Sequence, residues 1–99
     1  MVPRLEECAD GTTVLTGDLN SSTVSALYSS SQPVFRTDSD MVIDLKTAND
    51  VDSAGVALLV EWVRRARARN CRLRFRAMST QLEDLIRVYG VDHLLQANH

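Results

Sequence analysis

Cys71-Arg72-Leu73-Arg74-Phe75-Arg76 alternates without exception between an apolar or thiol side chain and an arginine. Successive side chains of an extended strand point to opposite faces of a sheet. The segment therefore reads as a strand with Cys71, Leu73 and Phe75 on a covered face and three guanidinium groups in water. A sheet that contains it is covered on one side only, so the chain is expected to form one layer of strands with helices packed on a single face.

The other segments fit that frame. Met41-Val42-Ile43-Asp44-Leu45 is apolar except at Asp44 and predicts a buried central strand. Asp10-Gly11 is a hairpin turn signal between Arg4 to Cys8 and Thr12 to Thr16. A first helix, capped by Asn20 or Ser21, carries Val24, Leu27 and Tyr28 and runs to about Ser31, ahead of Pro33. Val56, Leu59, Val60 and Val63 mark one face of a second helix that continues to Arg69. Thr80 and Glu83 have the spacing of a capping box for a third, carrying Leu82, Leu85, Ile86 and Tyr89 and ended by Gly90. A short turn from Asp92 to Leu95 follows. The expected order is β-β-α-β-α-β-α in a single domain over residues 1–99, with the first strand an antiparallel edge and the rest joined by right-handed parallel crossovers. Loops Gly17 to Ser21 and Lys46 to Ser53 then lie side by side at the carboxyl ends of the strands.

Composition narrows the functional classes. At 99 residues, 44% hydrophobic and 24% charged, the chain has enough apolar content for one core and is not a low-complexity sequence. A formal net charge of −2 offers no bulk attraction to nucleic acid or to an anionic membrane. The longest apolar run, Ala54 to Val60, is seven residues, against the roughly 20 that a membrane helix needs. Met1-Val2-Pro3-Arg4 opens no apolar signal region, so a cytoplasmic location is expected. Cys8 and Cys71 are far apart and read as reduced, packing thiols, while His93 and His99 have no partner at ligand spacing. Neither a metal nor a cofactor is expected. Ser53 has no histidine near it, Glu83 and Asp84 lie along a helix surface, and no phosphate-binding loop of GxxxxGK[ST] form exists, so the chain does not read as an enzyme.

The most informative stretch is Val51-Asp52-Ser53-Ala54-Gly55-Val56-Ala57-Leu58-Leu59, a polar loop running into an apolar helix start. Ser53 is placed to cap that helix, and a phosphate on it would also be stabilised by the positive end of the helix dipole; cap and phosphorylation site look alike in sequence. Ala54, Ala57 and Leu58 add more apolar surface than the stripe Val56-Leu59-Val60-Val63 requires, as a docking site would. Tyr28 reads either as a half-buried tyrosine or as an anchor for a partner, and Trp62, off the main stripe, reads as packing on a neighbouring helix or else on the partner. Seven of the eleven basic residues fall between Arg64 and Arg76. The plain reading is a solvated face; the alternatives are a docking patch for an acidic partner or lipid headgroups and, with no interleaved aromatics but the inward Phe75, least of all a nucleic-acid surface.

Leu15-Thr16-Gly17-Asp18-Leu19, Val42-Ile43-Asp44-Leu45 and Val51 to Leu59, in that order and spacing, resemble the motif succession of STAS domains, the fold of anti-sigma-factor antagonists. The resemblance covers nearly the whole chain and implies a mixed, mostly parallel sheet with helices on one face. With Glu61-Trp62 following the helix start, the chain is most similar to the cytoplasmic (MlaB-like) STAS subunit of the Mla phospholipid-transport ABC system, which maintains outer-membrane lipid asymmetry. That likeness implies a non-catalytic subunit that binds the transporter's ATPase subunit and meets the membrane only through the complex. It puts Asp52, Ser53 and Gly55 at the fixed places of the D-[ST]-x-G motif. Together with the convergence of the Gly17 to Ser21 loop, the first helix and the Asp52-Ser53 helix start at one end of the sheet, it makes Tyr28, Asp52, Ser53, Ala54, Ala57 and Leu58 the expected contact residues. The alternative it leaves open is an anti-sigma-factor antagonist switched by phosphorylation of Ser53.

Overall fold

The computed structural model describes residues 4–25 and 35–95. Strand β1 (Arg4–Glu7) pairs antiparallel with β2 (Thr13–Asp18), Leu5 opposite Leu15 and Glu6 opposite Val14. The turn between them is the one expected. Gly11 sits at φ 88°, a left-handed conformation without steric cost for glycine, and Asp10 Oδ1 accepts the Thr12 N–H at 2.9 Å.

Strand β3 (Asp40–Asp44) pairs parallel with β2 on its other side, and β5 (Arg72–Arg76) pairs parallel with β3 in the register Asp40↔Arg72 to Asp44↔Arg76. Within the expected loop from Lys46 to Ser53, Ala48–Asn49 forms a further short strand, β4, alongside Gly17 and Asp18 of β2. The chain therefore follows β2 twice, as β3 and then as β4. At the break between the two, Thr47 Oγ1 donates to the Leu15 carbonyl at 3.0 Å.

The helices are α1 (Ser53–Ala68), α2 (Thr80–Val88) and α3 (Asp92–Leu95). Helix α1 packs on the sheet and against α2 and α3. Its Val56, Leu59 and Val63 join Leu15, Leu19, Ile43, Leu45 and Phe75 in one core, with Trp62 fully buried among them as packing predicts. On β5 the alternation holds: Phe75 and Cys71 are buried, Leu73 is half-buried, and Arg72, Arg74 and Arg76 are exposed. The open face carries cross-strand ion pairs, Arg72 with Asp40 at 3.0 Å and Arg76 with Asp44 at 2.8 Å.

Three expectations need correction. Cys8 does not pack; it is exposed, because it shares the open face of β1 with Arg4 and Glu6 and lies past the end of the strand. The cap of α2 is Ser79, whose Oγ accepts the Leu82 N–H at 3.1 Å, one residue before the expected Thr80. Tyr89 is 51% exposed, because the helix has ended at Val88 and the apolar stripe does not continue past it. The first helix is described only at its start, where Asn20 Oδ1 accepts the Ser22 N–H at 2.9 Å and the Asn20 carbonyl accepts the Val24 N–H at 3.0 Å. Leu27, Tyr28 and the expected end near Ser31 lie outside the described residues. No described helix is long and apolar enough to cross a membrane.

Candidate docking surface

The loops after β2 and β4 meet as expected, and backbone groups hold them together. Leu19 N–H donates to the Asn49 carbonyl at 3.0 Å, and Asp52 N–H to the Leu19 carbonyl at 3.1 Å. Two side chains add to this. Asn20 Nδ2 donates to Asp50 Oδ2 at 2.8 Å, and Asp52 Oδ2 accepts the Ser21 N–H at 3.1 Å. Asp50 has φ 43°, a left-handed geometry that aspartate tolerates better than most residues. The sequence does not show the Asn20–Asp50 clamp; the Asn49-Asp50 pair signals the turn but not the side chain that Asp50 meets across it.

Asp52, not Ser53, caps α1. Its backbone is extended, and its Oδ1 accepts the N–H groups of Ala54 at 2.8 Å and Gly55 at 3.4 Å. Aspartate caps as well as serine does, and its charge also suits the positive end of the helix dipole. The N–H groups of Ser21, Ala54 and Gly55 hold the Asp52 carboxyl below its ordinary value, the Ser21 bond most strongly, against the opposing effect of burial. Ser53 is thereby released from capping. It is the first residue of the helix, and it is exposed.

Gly55 supplies the close approach. A Cβ there would collide with the Leu19 carbonyl oxygen and stand 3.0 Å from Leu19 Cβ and 3.1 Å from Val51 Cγ1. The aspartate and glycine of the motif thus have separate tasks: one ties the helix start to the Ser21 loop, the other lets the helix press onto Leu19.

The outer surface of the helix start consists of exposed Ser53, half-buried Ala54 and exposed Ala57. Leu58, expected beside them, is fully buried. Because α1 packs against α2 and α3 as well as the sheet, its buried arc is wider than one stripe and takes in Leu58 together with Trp62 four residues on. Asp52 has both carboxylate oxygens engaged within the domain, so its part in any contact is to hold Ser53 in place. Among the described residues no group of three or more His, Cys, Asp or Glu is arranged to hold a metal ion.

No curated protein matches the chain closely enough to stand as a relative. A protein-family model does match: the model described as "Mlab, STAS domain" aligns with residues 6–96. The parallel strands, the second half of the antiparallel edge strand, and the Asp52-Ser53-Ala54-Gly55 helix start lie within that span. The chain belongs to the STAS domain family, in its MlaB-like branch.

Proposed function

We propose that this protein is a non-catalytic accessory subunit of an Mla-type phospholipid-transport ABC complex, binding the ATPase subunit through Ser53, Ala54 and Ala57. The observation that carries this reading is the match of residues 6–96 to the Mlab family model. The geometry of the helix start supports it. Small side chains beside an exposed hydroxyl give a flat, close-packing patch, and the Asp52 cap and Gly55 contact fix its orientation before any partner arrives. Tyr28 belongs to the same proposed contact by its place in the sequence. In this reading the protein works in the cytoplasm and meets the inner membrane only through its complex.

Affinity purification of the tagged chain from its own cells tests the proposal. An ABC ATPase should copurify, and deleting the chain should lower that ATPase's activity or abundance; recovery of no ABC ATPase contradicts the reading. The exposure of Ser53 favours one second reading, an anti-sigma-factor antagonist. There, intact mass measurement after incubation with the cell's anti-sigma kinases would show one phosphate on Ser53, whereas an unmodified mass supports the transporter reading.

A further inference from the structure

Strand β5 ends the sheet, and among the described residues no strand pairs with its far edge. The ladder identifies the backbone groups left over. Arg72 N–H donates to the Ser39 carbonyl at 2.8 Å, and the Arg76 carbonyl accepts the Leu45 N–H at 2.9 Å. Arg72, Arg74 and Arg76 therefore direct their backbone groups toward β3, and the N–H and C=O groups of Leu73 and Phe75 point outward.

The side chains at this edge are incomplete on both faces. On the open face Arg72 and Arg76 are each matched with an aspartate on β3, but Arg74 stands opposite Val42 and has no carboxylate partner among the described residues. On the covered face Leu73 is only half-buried, although Cys71 and Phe75 on either side of it are 3% and 0% exposed.

We propose that the free edge of β5 takes up an extended acidic segment of a partner protein as an added strand. Arginines on an edge deter pairing with neutral or basic strands, and an acidic strand turns the same charge into attraction. Residues directly opposite on paired strands lie about 5 Å apart, within reach of a carboxylate for Arg74. Alternation then puts the segment's other side chains beside Leu73, where an apolar residue would complete the covered face. The occupant is thus an extended stretch alternating acidic and apolar residues, held by the backbone groups of Leu73 and Phe75. The proposal shares no residue with the surface around Ser53 and does not depend on the function assigned there.

A fluorescein-labelled peptide of alternating glutamate and valine tests it, beside an isomer with the glutamates in one block and the valines in another. The alternating peptide should bind by fluorescence anisotropy and slow hydrogen exchange at the Leu73 and Phe75 amides. Arg74→Glu should weaken binding by about tenfold or more without changing the melting temperature, as expected for an exposed residue that gains a charge-assisted bond only in the complex. Absence of binding, equal binding by the block isomer, or binding without protection of those two amides would each overturn the proposal.

Discussion

Replacing Gly55 by alanine sets two effects of opposite sign against each other. Helix propensity alone makes Gly55→Ala stabilising by about 1 kcal/mol. Against this, the new methyl would meet the Leu19 carbonyl oxygen and stand 3.0 Å from Leu19 Cβ, well inside ordinary contact. Overpacking of this kind costs about 1–3 kcal/mol. The obstructing atom belongs to the backbone and already accepts a hydrogen bond at 3.1 Å, so moving it away forfeits about 1 kcal/mol more. The net expectation is a loss of about 1–3 kcal/mol. For a chain of 99 residues that is a fall of roughly 5–20 °C in melting temperature. Thermal denaturation followed by circular dichroism measures it. A rise in melting temperature would mean that propensity wins and that α1 does not press on Leu19 as described.

Further perturbations follow from the same geometry. Ala77 has φ 60°, a left-handed conformation that costs a residue with a Cβ about 1–2 kcal/mol. Ala77→Gly should therefore raise the melting temperature by a few degrees after glycine's own entropic cost, and a fall would contradict the strain. Bonds from Arg64 and Arg65 lower the Glu61 pKa to about 2. A carboxylate held below its free value stabilises the fold above that free value and loses the contribution as pH falls toward the folded one. Glu61→Gln should thus flatten the decline of melting temperature between about pH 5 and pH 2, less so in roughly 0.5 M salt, and an unchanged decline would show that the pairs add nothing. A thiol reagent should label exposed Cys8 in the native protein and reach buried Cys71 only on unfolding; native labelling of both would contradict the packing of β5.

The sequence reveals most where burial repeats with a fixed period. The arginine alternation from 72 to 76 specifies a strand, its two faces and a one-sided sheet before any contact is known. Strand β4 has two residues, too few for a period, and it exists because β2 extends past β3 and offers it a partner. At the helix start, Asp52 and Ser53 are both good caps, and only the path of the loop against Ser21 decides between them. A related limit applies at Leu58. Helical spacing locates the centre of a buried face, but its width depends on α2 and α3, which pack on α1 from further along the chain. The place of Gly55 in a motif is visible in sequence, whereas the carbonyl that requires it is not.

In the proposed complex the ATPase subunit docks on the exposed helix start around Ser53. Ser53→Asp tests it because its effects on folding and on binding should diverge. Ser53 lies in the first turn of α1 and outside the cap, and an acidic side chain there is tolerated by the helix dipole, so the melting temperature should move by no more than a few degrees. In the complex the new carboxylate would lose its water without a partner, at a cost of about 3 kcal/mol or more, weakening the dissociation constant about a hundredfold. Calorimetric titration of the purified ATPase subunit with both forms of the chain measures the difference. Unchanged folding with that loss of affinity is the predicted result; equal affinity of the two forms would place the interface elsewhere.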